Sequence, residues 1–576
     1  MSAQTGTSTT SGPSSPGLVG RARLRVDRLR SEPNPIWIRE LKQAARLTRT
    51  PLLLMVITIL MTLLIASIGG IASTEAAPAR TGVLLFQVFF SLAYFVVTLA
   101  GPAVAANSIA SEREGRTWEA VLLTGIPPGE IARGKFLAAY TAIGMYVVML
   151  APVGALPFLF GGVTAMEVMV AFLFLFLIAL LSVAFGLAIS SKMASNRVAI
   201  VVTLLLAFPM AITLFFVGGV ALSYAAHDAW PDVAEAAPIW LPSAYERAPF
   251  GLSYVVFLFL IPLAAVALPA WFLYEVTVAN LTSPTDDRST GLRVWFAIAA
   301  PILAAAAVVP SFTVSSSDSL VTIVAALCGV LSFLCFSVFL FVGDPFGPSR
   351  RVAAHWDRMG AGRLRRFFGP GVIRAALLLL IEGTVLLAAL AAIGLILLAD
   401  SPPGAAPTRM QQLGCFTLYA IAFYVFLVGL GALLRARSSS PAVARALLFS
   451  LLFAASVGPW IVAAIAGLIA DRGGSDDALV IASPSPFYAF LMMAKLDGAN
   501  AAPIVSAGLV SAGAWLTAGL GLLIAARGRC VKLVAQHEAA LAQTDALLAQ
   551  EDEAAAQAAA AHAGPPEPQA AERTPG

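Results

Sequence analysis

Residues 165–190 read AMEVMVAFLFLFLIALLSVAFGLAIS, an apolar run whose only ionisable group is Glu167 near its start. At 1.5 Å per residue, a helix of this length spans more than the roughly 30 Å of a bilayer's hydrocarbon core. It has no polar stripe for water, so it cannot be the surface helix of a soluble domain. Working outward, comparable runs occur at about 51–73, 82–108, 136–160, 198–222, 251–279, 294–313, 319–343, 374–399, 411–434, 446–470 and 502–526. The fold class that follows is an all-α polytopic membrane protein with about 12 transmembrane helices. Composition agrees: the 576 residues are 59% hydrophobic and 12% charged, with a mean hydropathy of +0.86. Soluble proteins carry roughly 25% charged residues. A large soluble enzyme is excluded, as is disorder over most of the length.

Charge placement orients these spans. With the N-terminus cytoplasmic, the outer side keeps only Arg80, Arg247, Arg409, Arg472 and Lys495 of 36 lysines and arginines. Adding or dropping one span would scramble that bias. The expected location is a bacterial plasma membrane, multi-pass, with both termini cytoplasmic. The net charge of +4 is too small to indicate nucleic acid as a partner. The first 30 residues have no apolar core, so no cleavable signal peptide is expected. The cysteines Cys328, Cys335, Cys415 and Cys530 show no metal-ligand spacing, and the four histidines are scattered. Neither a disulfide framework nor a metal site is expected.

Residues 1–33 are basic and read as disordered. In 34–50, Arg39, Lys42, Arg46 and Arg49 recur at helical spacing, with Trp37 and Leu41 on the opposite side. This predicts an interfacial helix whose basic side meets anionic lipid and whose Trp37 anchors it in the headgroup layer. The outer loops 223–250 and 471–501 carry Pro/aromatic pairs that read as short re-entrant or interfacial pieces. An internal echo divides the rest. Ser190–Arg197 (SSKMASNR) precedes the fifth span and Ser438–Arg445 (SSSPAVAR) the eleventh. Trp240–Tyr245 (WLPSAY) and Ser483–Tyr488 (SPSPFY) precede the sixth and twelfth. Two six-span units follow, 34–280 and 281–527, running parallel because six is even. If the echo is not a true repeat, a homodimer is the alternative. The tail, 528–576, reads as an alanine-rich cytoplasmic helix to about residue 561, then a proline-rich end.

The most informative stretch lies between spans two and three, in the loop 109–135: Ser111-Glu112-Arg113-Glu114-Gly115-Arg116-Thr117-Trp118-Glu119-Ala120-Val121-Leu122-Leu123-Thr124-Gly125, then Pro127-Pro128-Gly129-Glu130-Ile131-Ala132-Arg133-Gly134-Lys135. A helix here presents charged groups to the cytosol and an apolar side to the bilayer or a partner. The stretch resembles the membrane-spanning permease of type-2 ABC exporters, which carry E-R-E-x-G-T-W/L-E-x-L-L-x-T-P/G-x-x-x-x-E-I-x-x-G-K after the second span. The matching residues are Glu112, Arg113, Glu114, Thr117, Glu119, Leu122, Leu123, Thr124, Glu130, Ile131, Gly134 and Lys135, and Asn34-Pro35-Ile36 with Arg39-Glu40 is similar to the family's N-terminal helix. The resemblance covers about 34–280; over 290–530 it survives only as span spacing and the repeat echo. It implies a coupling helix docked on a separate ABC ATPase subunit, in two copies, with ATP and magnesium bound there and no cofactor on this chain. Glu112, Arg113, Glu114, Thr117, Glu119, Glu130, Gly134 and Lys135 are the implied coupling residues.

Several other features point less strongly. Gly129–Phe136 fits G-x4-G-K, but Phe136 stands where a magnesium-binding hydroxyl is needed and no strand precedes it. It is not read as a P-loop, and the chain is not expected to be an enzyme. The second unit's equivalent loop, 344–374, is arginine-rich and lacks a Glu-Arg-Glu run; an anionic-lipid anchor is the favoured reading there. Glu382 is the clearest acid within a span and a candidate for a translocation path. The alternative functions are an ATP-independent secondary transporter, for which intramembrane charges are too few, and a non-transport scaffold docked to the same ATPase.

Overall fold

Hydrocarbon offers no hydrogen-bond partner to a free backbone N–H or C=O, so a long apolar run must satisfy its own backbone as a helix. The computed structural model describes residues 33–46, 49–75, 77–220, 230, 241–312, 319–399, 406–469, 479–496 and 501–562, and none of these forms a strand. Twelve of the described helices are long and apolar enough to cross a membrane. The protein is therefore an all-α polytopic membrane protein. The expectations for residues 1–32 and for the proline-rich end lie outside the described residues.

The chain divides into two units, Met1–Ser283 and Pro284–Gly576. The first opens with α1 (Pro35–Arg46), followed by α2 (Arg49–Glu75), α3 (Pro78–Glu114), the short α4 (Trp118–Leu123), α5 (Pro128–Gly154) and α6 (Leu156–Phe160). Then come α7 (Ala165–Ser190), α8 (Asn196–Val220), α9 (Leu241–Arg247) and α10 (Leu252–Leu281), the last two spans containing π-helical turns at Leu214–Val220 and Val255–Leu260. The span α3 runs past the apolar stretch into the polar loop: its 37 residues reach about 55 Å at 1.5 Å each. Its last turns must therefore project beyond the hydrocarbon.

In this unit α3 is the central helix, packing on α5, α7 and α8. Small residues bring α3 and α7 together. A Cβ on Gly101 would lie 2.8 Å from that of Ser182, and one on Gly186 would collide with Pro102 and Ala105. Above this seam Phe89, Phe90 and Phe172 pack edge to face, and the Tyr94 hydroxyl donates to the Ala211 carbonyl at 2.7 Å, tying α3 to α8. Glu167 sits in a capping box: Thr164 N–H donates to its carboxylate at 2.8 Å, and its own N–H donates to the Thr164 hydroxyl at 3.2 Å. The same carboxylate is 3.8 Å from Arg247 on α9. This acid closes a helix end.

The second unit comprises α11 (Thr290–Phe312), α12 (Ser319–Phe341), α13 (Arg350–Arg358), α14 (Arg363–Phe368), α15 (Val372–Ala399), α16 (Ala406–Arg437), α17 (Pro441–Ile469), α18 (Tyr488–Lys495) and α19 (Ala501–His562). The tail helix expected after the last span is a direct continuation of it, one helix of 62 residues. Here α16 is central and mostly buried, whereas α17 and α19 leave most of their apolar surface exposed. Its neighbours are α12, α15, α17, α18 and α19. Contact with α19 is backbone to backbone: Gly429 faces the Gly519 carbonyl, and a Cβ on Gly519 would lie 2.6 Å from the Phe426 backbone. Tyr419 fixes the turn before α18, its hydroxyl 2.6 Å from the Ser483 carbonyl, and Trp515 donates to that hydroxyl at 3.3 Å. Gly519→Val must therefore push two helices apart, at a cost of about 2 kcal/mol. Thermal unfolding in detergent should show a clear drop for this variant and almost none for Gly513→Val, which meets open space.

Candidate functional site

The residues of the loop between α3 and α5 sort by direction. On a helix successive side chains diverge by about 100°, so the Glu-Arg-Glu triplet ending α3 points in three different directions. Glu112 pairs with Arg39 of α1 and lies 3.0 Å from the Lys135 ammonium of α5. Arg113 approaches the Met193 carbonyl at 3.5 Å and sits over the Trp118 ring, 5.7 Å from its centroid. Glu114 accepts the Asn196 N–H at 2.8 Å, capping α8. The triplet thus fastens the end of α3 to α1, α5, α8 and the start of α4.

Lys135 is the centre of this joint. Its side chain is fully buried, and its ammonium lies 3.0 Å from each of Glu40 Oε1, Glu112 Oε2 and the Ser108 carbonyl. The ammonium donates hydrogen bonds to Glu40 and to the Ser108 carbonyl, and the Glu112 carboxylate adds an ion pair. Burial alone would raise the pKa of the Glu40 carboxyl, but Lys135 and Arg39 hold it below the ordinary 4.5. Arg39 also bonds Glu40 at 3.0 Å; burial would lower its own pKa, but Glu40 and Glu112 raise it.

Two further residues seat α1 on α5. Asn34 Oδ1 accepts the N–H groups of Ile36 and Trp37, capping α1, while the side-chain Nδ2 donates to the Glu130 carbonyl at 2.8 Å and to the Glu130 carboxylate at 3.2 Å. Glu130 also pairs with Arg133 at 3.0 Å. Gly134 permits this approach: a Cβ there would lie 2.5 Å from Asn34 Oδ1. Ile36 is buried in the seam, Trp37 is half-buried, and Lys42 is exposed. The side chains of Arg46 and Arg49 fall outside the described residues, although both positions are helical.

Between these anchored ends the chain turns outward. Gly115 ends α3, Arg116 adopts a positive φ of 56°, and the Thr117 N–H bonds back to the Glu112 carbonyl at 2.9 Å. In α4, Val121 packs inward while Leu122 and Leu123 are exposed, Leu123 by 87%. Glu119 is exposed beside them. The left-handed Gly125, φ 71°, and Pro127-Pro128 then return the chain to α5. Gly129–Phe136 is the beginning of α5. Of the implied coupling residues, then, Glu112, Arg113, Glu114, Glu130, Gly134 and Lys135 build the joint, whereas Glu119 and the neighbouring leucines face out.

The sequence reading missed Ser190. Its hydroxyl donates to the Ala106 carbonyl at 2.6 Å and accepts the Ala110 N–H at 3.0 Å, pinning the end of α7 to α3. Its position at the head of the repeated serine stretch was the available signal. In the second unit Arg293 is fully buried; it pairs with Asp344 and donates to the carbonyls of Gly369 and Gly371. Glu382 belongs to α15, half-buried, with one carboxylate oxygen lacking a hydrogen bond. No cluster able to hold a metal ion occurs among the described residues. Comparison with models of known families, with characterised proteins and with solved structures finds no match.

Lys135→Met leaves two carboxylates facing each other and should destabilise the protein by about 3 kcal/mol; adding Glu40→Gln should restore part of that loss in thermal unfolding. The joint also has a pH sign. Because Glu40 titrates below 4.5 in the folded protein, its contribution is complete above that value and disappears as pH falls through the lowered one. A nitroxide at the exposed position 43 should gain mobility on acidification below pH 4.5, and in Glu40→Gln that transition should be absent.

Proposed function

We propose that this chain is the permease subunit of an ATP-driven exporter, a membrane protein of the type-2 ABC kind powered by an ABC ATPase on another polypeptide. The observation that carries this reading is α4: a short helix with Leu122, Leu123 and Glu119 outward, mounted between two spans whose ends are locked together through Lys135. A partner gripping that helix would move α3, α5 and α1 as one body, because the charges and hydrogen bonds between them leave no slack. An apolar centre with a charged rim is the pattern of a protein interface. In this reading ATP and magnesium stay on the partner, two ATPase copies serve one chain, and this chain performs no catalysis. The positive-inside bias supports both termini lying in the cytoplasm, and a bacterial plasma membrane is the setting this reading takes.

The two units supply the two halves that an exporter needs. Among the spans, α7 packs on α3, α5 and α10 much as α16 packs on α12, α15 and α19. Buried tyrosines at matching places, Tyr245 and Tyr488, donate their hydroxyls to main-chain oxygens of the following span, Leu258 and Ile504. That correspondence favours a duplicated, parallel six-plus-six arrangement over a homodimer.

The test targets the outward face, since reversing Glu112 or Glu114 would break the joint itself. Leu123→Asp combined with Glu119→Lys should abolish co-purification of a nucleotide-binding subunit and lower its stimulated hydrolysis at least about tenfold, with membrane insertion and thermal stability unchanged. Unaltered co-purification and hydrolysis would refute the docking role. Docking without vesicle transport would favour a scaffold, and transport by the purified chain alone a secondary transporter.

A further inference from the structure

The six arginines of 350–366 do not form a uniform basic face. Arg350 pairs with Asp545 of α19, and Arg366 bonds Asp357 at 2.8 Å. Arg363 stands apart on α14. The remaining three, Arg351, Arg358 and Arg365, converge with His355 on a cleft of about 450 Å³ whose other wall is Asp286 and Asp287 of the segment leading into α11, with Thr290 at its start.

The acids of that wall are already engaged. Asp287 accepts the N–H groups of Ser289 and Thr290, each at 3.1 Å, and so caps α11. Asp286 is 3.3 Å from Arg351. Arg358 uses only its Nε, on the Ala354 carbonyl at 3.3 Å, and among the described residues Arg365 and the His355 ring make no hydrogen bond or ion pair. The terminal nitrogens of Arg358 and Arg365 therefore line the cleft with no acid paired to them among the described residues, the two aspartates being taken by the α11 cap and by Arg351. Its wall is rigid: Trp356 is buried, Gly369 lies against its ring, and Arg374 sits over it at 5.4 Å.

Position decides what kind of anion fits. The cleft lies between the entry to α11 and helices α13 and α14, which join the end of α12 to the start of α15; these three spans are of membrane length, so in a bilayer they cross, their ends and the cleft beside them fall at the headgroup layer. Beside the guanidinium groups Leu364, 74% exposed, and Met359, 49% exposed, project outward. A cation pair next to exposed aliphatic side chains matches a molecule with a phosphate head and an acyl body, not a freely soluble phosphate. We propose that this cleft binds the phosphate headgroup of an anionic phospholipid, gripped chiefly by Arg358 and Arg365. The site goes beyond the proposed export function and needs no ATPase.

The full-length chain, delipidated in detergent, would be titrated by native mass spectrometry with phosphatidylglycerol, with phosphatidylcholine of the same acyl chains, and with inorganic phosphate as competitor. Preferential phosphatidylglycerol binding, weakened roughly 30-fold in Arg358→Gln/Arg365→Gln and within threefold of wild type in Arg363→Gln, would support the site. Equal losses in both variants, or none in the double variant, would overturn it in favour of diffuse attraction. Full competition by inorganic phosphate at equal concentration would overturn the lipid assignment. Should the double variant fail to fold, wild-type protein would be photolabelled with phosphatidylglycerol carrying a reactive headgroup. Labels within 350–368 uphold the proposal, and labels only elsewhere reject it.

Discussion

A buried ammonium organises the inner face of the first unit. Lys135 has no water to solvate it, so its charge requires the oxygens of Glu40, Glu112 and Ser108. Those oxygens come from α1 and α3, while the lysine comes from α5. Three elements distant in sequence are thereby held in one geometry, and α4 inherits its position from them. Without that joint the outward leucines of α4 would be held only by the short connections to α3 and α5.

Elsewhere the same economy of space appears with small residues in place of charges. Lipid tails are as apolar as leucine side chains, so helices in a bilayer gain little by hiding apolar surface from one another. Close approach and polar links must supply the cohesion. Gly101 and Gly186 bring α3 to α7, Gly429 and Gly519 bring α16 to α19, and tyrosine hydroxyls on main-chain oxygens lock neighbouring helices. Peripheral helices such as α17, with few buried residues, show the complementary case of a surface left to lipid.

The basic residues serve two purposes that charge counting merges. Arg39, Lys135 and Arg293 are structural cross-links, each joined to an acid of another element. Arg358 and Arg365 instead line an open cleft with no acid paired to their terminal nitrogens among the described residues. The difference lies in which acids the fold brings within reach.

From the amino-acid order alone came the membrane setting, the twelve spans, the helical leader and the stretch that turns between α3 and α5. These depend on local apolar length and periodicity, which need no knowledge of neighbours. The order of residues could not say that Glu112 and Glu114 would face α1 and α8 while Glu119 faced outward, because all three share the same chemistry and stand within seven residues of one another. Nor could it mark Ser190 as the pin between α7 and α3, or separate Arg365 from Arg366. Those assignments require knowing which helix stands beside which, and contacts between helices depend on through-space distance that a one-dimensional pattern does not contain.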